Sequence, residues 1–347
     1  MKTNIIICGH ICLDLIPVIN KGYSCLDEVL IEGGLTNVGP IILSGGGPVF
    51  NVGSALSKMI DFSKYNLFLI GKTGEDYLSE ILEKLAKLKG IQLILKKEKK
   101  LTTSYTIAIA NNRIDRSYLH NPGANDFFSS GDVFFPKKGC PGVFHFGYPQ
   151  LMKRMFNEEG ELLSLFLKAK KEGYTTSIDM SLVSETSDAA KKDWKKILKR
   201  VLPHVDMLFI GMEEAHFIYN SRDYFRKKRD YKRKSKDILG FYDEKRVDIM
   251  KDFLFGLGAN LIILKSGKKG AFLFSKNHVN RFSRHNWNNL KIKEFPKKTN
   301  KYKNSIGAGD NFAAGFIKSC LVGESPINCL RNGIDTATHS LSFYGGS

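Results

Sequence analysis

Short, almost uninterrupted apolar runs that stop at a glycine or a carboxylate limit this chain more than any other feature. They cover 4–9 (NIIICG), 67–70 before Gly71, 143–147 and 207–210 before Gly211; a similar run at 261–264 leads into Lys265, and a more polar strand over 175–179 ends in Asp179. Such runs are too short for ordinary helices and lack the alternation of a strand with one wet face, so they read as strands buried on both sides. Helical patterns fall between or after them at 52–59, 77–89, 161–171, 194–202, 248–257, 313–322 and 329–342. In 77–89 the apolar residues at 78, 81, 82, 85 and 88 trace one face of a helix. Strands alternating with helices imply a largely parallel sheet covered on both faces, an α/β three-layer sandwich. Two regions break the alternation. Glycine-interrupted β runs at 28–44, and a hairpin over 102–120 turning at Asn111-Asn112 with its second strand from 114, predict a small separate sheet. A β lid formed by about 15–44 and 101–125 within a single domain spanning 1–347 is the expected organisation.

Ligands in open α/β sheets bind beyond the carboxyl ends of the strands. His10 and Asp14 follow the first strand. Asp14, between Leu13 and Leu15, needs hydrogen-bond partners, which sugar hydroxyls or nearby backbone amides could equally supply. Gly45-Gly46-Gly47 opens a helix that carries Asn51, whose amide offers a polyol a donor and an acceptor. Near the end, Asn304-Ser305-Ile306-Gly307-Ala308-Gly309-Asp310 runs straight into an apolar helix. The first N–H groups of a helix lack intrahelical acceptors and carry partial positive charge, which makes an anion site. A lone carboxylate there, Asp310, is suited to take a proton while the amides of Gly307, Ala308 and Gly309 neutralise a migrating phosphoryl group. The alternative for this stretch by itself is a packed helix start whose aspartate favours the dipole. Gly71-Lys72-Thr73 is not a P-loop, because Asn66 stands where the required glycine would be.

Composition excludes more than it assigns. Apolar content of 42% and charged content of 25% are ordinary for a globular domain of 347 residues. No apolar run is long enough to span a membrane, and Met1 leads within a few residues into a strand, so neither membrane insertion nor a leader is expected. Six cysteines without a CxxC pair read as reduced, mostly buried thiols of a cytoplasmic protein. The net charge of +18 is concentrated at 222–236, roughly +7, and 276–303, roughly +8. These runs are expected to be solvated loops, within longer loops over 220–246 and 276–303, rather than a nucleic-acid surface.

With these residues assembled, the chain resembles the ribokinase-like (PfkB-type) carbohydrate kinases over nearly its whole length. The likeness rests on Gly45-Gly46-Gly47-Pro48-Val49-Phe50-Asn51, on Asn304 through Asp310, on Gly9 with Asp14, on Gly71-Lys72-Thr73-Gly74-Glu75-Asp76, on Ser266-Gly267-Lys268-Lys269-Gly270, and on Glu214. It implies a Rossmann-like main domain with a β lid and ATP-dependent phosphorylation of a sugar or nucleoside alcohol. Asp310 would be the base and Gly307 to Asp310 the anion hole. Asp14, Gly46, Gly47 and Asn51 would contact the acceptor, and Ser266, Gly267, Gly270, Asn304 and Ser305 the nucleotide. Magnesium would travel with ATP near Glu214. The chain departs from the family where Asn304 replaces an aspartate that helps hold a monovalent cation in potassium-dependent members, which leaves potassium activation open. Gly211 stands in a slot usually held by Asn, Lys265 where a hydroxyl residue is common, and Ser347 closes the chain where relatives often continue. A nucleoside kinase, or a kinase fold reused as a nucleic-acid-binding or regulatory protein, are the competing expectations. An exposed lid sheet could also pair with a second copy.

Overall fold

A computed structural model describes residues 1–19, 22–110, 117–234, 236–277, 283–297, 302–343 and 345–346. Among them lie strands β1 (Thr3–Gly9), β2 (Cys12–Pro17), β3 (Ile41–Gly46), β4 (Tyr65–Gly74), β5 (Leu93–Glu98), β6 (Tyr105–Ile109), β7 (Ser117–Asn121), β8 (Cys140–Gly147), β9 (Thr175–Asp179), β10 (Met207–Gly211), β11 (Leu261–Lys265), β12 (Ala271–Ser275) and β13 (Lys291–Glu294). Helices are α1 (Gly47–Ser57), α2 (Tyr77–Leu88), α3 (Lys153–Asn157), α4 (Glu161–Lys171), α5 (Trp194–Val201), α6 (Met212–Tyr219), α7 (Ser221–Arg233), α8 (Glu244–Gly256), α9 (Ala308–Leu321) and α10 (Pro326–Ser340).

A nine-stranded sheet runs in the order β13-β12-β11-β10-β9-β8-β1-β4-β5. It is parallel from β11 through β5, and only β12 and β13 add antiparallel strands at one edge. The unbroken apolar runs are explained by the period of two along each strand. Ile6, Cys8, Phe144, Phe146, Leu208 and Ile210 face one core, which α4, α5, α6 and α8 cover. Their neighbours Ile5, Ile7, Val143, Phe209 and Ile263 face the other, under α1, α2, α9 and α10. A four-stranded sheet, β3-β2-β6-β7, forms the lid. No helix among the described residues is long and apolar enough to cross a membrane.

Several expectations need correction. Residues 28–40 form no strand; the lid hairpin pairs β2 with β3, so Asp14 lies within a lid strand and not in the turn after β1. The strand expected to stop before Gly71 continues to Gly74, where it pairs with β5, an element that its lysine-rich end conceals. The expected turn at Asn111-Asn112 and the start of its second strand at 114 lie outside the described residues. The helix placed at 52–59 begins at Gly47. Most consequentially, the basic run expected to be a loop is helix α7, capped by Asn220 accepting from the Asp223 N–H. Tyr224 is wholly buried and Phe225 nearly so, and burying such side chains is worth about 1.5–3 kcal/mol each. Packing of one aromatic edge therefore outweighs charge repulsion along the exposed face. Four of the six cysteines are buried, and Cys25 and Cys140 are exposed.

Candidate active site

The helix start at Gly307 is built as its sequence predicts. Gly307 caps α9 at φ 70°, a left-handed conformation that a side chain disfavours. The Ala308 N–H is donated to the Ser305 carbonyl at 3.3 Å, and the Asn311 N–H to the Gly307 carbonyl at 2.9 Å. Gly309 and Asp310, in the first turn, have N–H groups beyond the reach of any intrahelical acceptor. Asp310 itself is buried. Its Oδ2 accepts from Asn51 Nδ2 at 2.8 Å and its Oδ1 from the Tyr148 hydroxyl at 2.7 Å. Burial pushes the Asp310 carboxyl above the usual range, while those two hydrogen bonds and the charge of Lys265 pull it back. A carboxylate raised in this way is a better proton acceptor than one in water. The phenol of Tyr148 is driven up by burial and by the charges of Asp310 and Asp179, so it keeps its proton and donates.

Asp14 comes to the same place from the lid. A Cβ on Gly46 would lie 2.4 Å from Asp14 Oδ2, so the glycine is required for β2 and β3 to close over the carboxylate. Cys12 Sγ donates to Asp14 Oδ1 at 3.3 Å. Burial raises the Asp14 carboxyl to about 7, with the charge of Asp310 adding to the shift. Gly47 packs on the His10 carbonyl and Gly45 on the Phe50 ring, so all three consecutive glycines give room to groups of the protein itself. His10 Nε2 and His120 Nε2 are 3.3 Å apart, and burial lowers both rings, His120 to about 4, so both are neutral near pH 7. His10 Nδ1 and Asn51 Oδ1 are buried without a hydrogen-bond partner.

A second charged group is assembled from strand ends. Lys265, last in β11, is adjacent in register to Gly211 at the end of β10. Its Nζ lies 2.7 and 2.9 Å from the two oxygens of Asp179 at the end of β9. The Glu214 carboxylate occupies the space a side chain on Gly211 would need and acts electrostatically on Asp179. Asp310 is thus not the lone acid expected: Asp14 and Asp179 are within range of its charge. Ser266, Gly267 and Gly270 form the turn directly after Lys265, with Gly267 and Gly270 at φ 52° and 88°. Asn304 is turned inward. Its Nδ2 donates to the Phe343 carbonyl at 3.0 Å and its Oδ1 accepts from the Ile306 N–H at 2.9 Å, so both ends of the amide hold the loop. The Gly346 carbonyl accepts from Asn311 Nδ2, and Gly346 lies across Gly307.

The structure therefore brings Asp14, Gly46, Asn51, Gly307, Gly309 and Asp310 together, and Lys265 and Asp179 link this group to Glu214, whereas Ser266 stands beside it only as the residue after Lys265. It gives the Gly71-Lys72-Thr73-Gly74-Glu75-Asp76 stretch another task. Asp76 caps α2 and accepts from the Thr103 backbone and hydroxyl, at 2.7 and 2.6 Å, fastening the entry to the lid strand β6. Sequence reasoning reached His10 through the first strand's end and noted Lys265 only as a departure from the family, but missed Tyr148, Asp179 and His120 as members of the site. All but His120 sit at or just after the carboxyl end of a main-sheet strand, and the strand-end rule would have gathered them.

The pfkB family carbohydrate kinase model matches residues 2–347, and the chain belongs to that family. Its fold is ribokinase-like. A ribokinase from Thermotoga maritima is similar at 15% identity over 99% of this chain and 94% of its own, with a TM-score of 0.64. Ribokinase from Arabidopsis thaliana, solved with ribose and ATP, is similar at 16% identity with the same two coverages and a TM-score of 0.68. A nucleoside kinase from Methanocaldococcus jannaschii is similar at 18% identity over 100% of this chain and 93% of its own, with a TM-score of 0.63.

Proposed function

We propose that this protein is an ATP-dependent kinase that phosphorylates a hydroxyl of a sugar or sugar derivative. The observation that carries the reading is the meeting of Asp310, fixed by Asn51 and Tyr148, with the open amides of α9 and with Asp14 in one cleft. Asp14 and Asn51 would orient the acceptor, and the unpartnered Asn51 Oδ1 is the kind of buried acceptor that a ligand hydroxyl satisfies. Asp310 would take the proton of the attacking hydroxyl. That oxygen forms a bond to the γ-phosphorus as the bond to the bridging oxygen breaks, and ADP leaves with the electron pair. The amides of Gly309 and Asp310 would face the charge on the transferring group.

The residues fit a triphosphate, since open helix amides and the Lys265 ammonium converge there. Magnesium carried on ATP would screen the β- and γ-oxygens, with Glu214 the carboxylate best suited to its water shell. Asn304 spends both ends of its amide within the protein, which supports turnover without added potassium. A nucleoside acceptor is the second reading. Tyr118, exposed on lid strand β7, would be available to stack on a base. The test is an ATP-consumption screen over ketoses, aldoses, sugar acids and nucleosides, with and without potassium. ADP release that depends on a sugar supports the first reading and release that depends on a nucleoside the second. Salt-sensitive nucleic-acid binding without turnover on any acceptor would replace both.

A further inference from the structure

The ammonium of Lys265 spends two of its three N–H donors on Asp179, at 2.7 and 2.9 Å. The partners are unequally sealed: the Asp179 side chain is 0% exposed and that of Lys265 17%. The third donor is therefore on the accessible side of the pair. What lies there is the start of α9, because a Cβ built on Gly309 would sit 3.3 Å from Nζ. Lys265 is also the cation whose charge acts on both Asp179 and Asp310. Its approach is set by three neighbouring strands. Asp179 ends β9, Gly211 ends β10 and Lys265 ends β11, so the lysine spans from the third strand end to the first, beside the Glu214 carboxylate that packs on Gly211.

From this geometry we propose that Lys265 is a catalytic residue that binds the terminal phosphoryl group of the nucleotide, with Asp179 as the positioning residue that aims it. The inference rests on the kinase reading above. Without Lys265 the cleft would present the carboxylates of Asp14, Asp179, Glu214 and Asp310 to a polyanion. With it, a fixed positive charge stands beside the open amides at the point where charge is transferred, and it needs no reorganisation during the reaction. A lysine that merely neutralised a buried carboxylate would have no reason to distinguish a triphosphate from a diphosphate.

That distinction is the test. Calorimetric titration with the imido analogue of ATP and with ADP, both with magnesium, is carried out on the wild type, Lys265→Met, Lys265→Arg and Lys265→Met/Asp179→Asn. The double variant removes the pair as a unit and leaves no unpaired buried charge. The expected result is at least about a 10-fold loss of affinity for the imido analogue in both methionine variants, with ADP binding changed less than about 2-fold and partial recovery in Lys265→Arg. Turnover falls about 100-fold in parallel. Equal losses for both nucleotides, or no loss for either, overturn the assignment of Lys265 and leave the kinase reading standing. Failure of the wild type to bind either nucleotide overturns both.

Discussion

The two groups of buried carboxylates meet different partners, although burial lifts Asp14 and Asp179 alike to about 7. On the side proposed to hold phosphate, Asp179 is buried but met by Lys265, and the amides of α9 are held by a helix packed on both flanks. On the side proposed to hold the acceptor, Asp14 is also buried, its neighbours are the Cys12 thiol, the Thr106 hydroxyl and the second acid, Asp310, and it has no ion pair among the described residues. Nearby, His10 Nδ1 and Asn51 Oδ1 have no hydrogen-bond partner among the described residues. Charge compensation suits a site that always receives the same group, a phosphate chain. Uncompensated polar atoms suit a site completed by the hydroxyls of whatever it binds. The first half is built by the parallel sheet and the second largely by the lid sheet and α1, so one scaffold can keep its phosphate chemistry while the acceptor changes.

The contrast can be broken most forcefully through stability. Asp14 has its carboxyl raised by burial to about 7, well above an unfolded aspartate. Below the unfolded value it is neutral in both states. As pH rises through the folded value the fold must hold an unpaired buried charge, so the native protein loses stability relative to a neutral side chain. Asp14→Asn is therefore expected to equal the wild type near pH 4 and to exceed it at pH 8 by up to about 4 kcal/mol. Urea unfolding at the two pH values checks this, and a difference independent of pH would contradict it. Next in size, Asp14→Ala should raise the acceptor KM by about 100-fold, with the ATP KM unchanged in initial-rate assays. A loss confined to ATP would move Asp14 to the other half. Smallest is Tyr148→Phe, which removes one of two donors to Asp310 and should lower kcat about 10-fold. Losing a donor to the ionised form also raises the Asp310 carboxyl further, so the acid limb of the pH–rate profile should shift upward. An unshifted profile would separate Tyr148 from the base.

How much of this was legible before the structure depends on how local each feature is. The glycine-rich helix start is a contiguous stretch, Ser305 to Asp310, whose glycines and helix follow one another, so its local geometry was legible: Gly307 caps α9 and Asp310 stands in the first turn. Asn51 and Asp14 were reachable because each adjoins a glycine or a buried strand. Lys265 and Asp179 are 86 residues apart and meet only because β9, β10 and β11 are consecutive in the sheet, an order no local pattern contains. Tyr148 follows a strand but shows its role only when α9 arrives opposite. The misreading of 222–236 has a different cause. Its charge is overt and its apolar edge is Tyr224, Phe225 and Tyr231, so composition masked a helical face. Removing that segment would expose core, not trim a loop.

In the proposed reaction Asp310 receives the proton of the hydroxyl under attack. The most direct measurement is a single-turnover assay of Asp310→Asn beside a calorimetric titration of the same variant with ATP, using the acceptor found for the wild type. The account predicts ATP affinity within about 3-fold of the wild type and phosphorylation slowed by about 10³-fold or more, since only the proton acceptor has been removed. Phosphorylation at a near wild-type rate would contradict it.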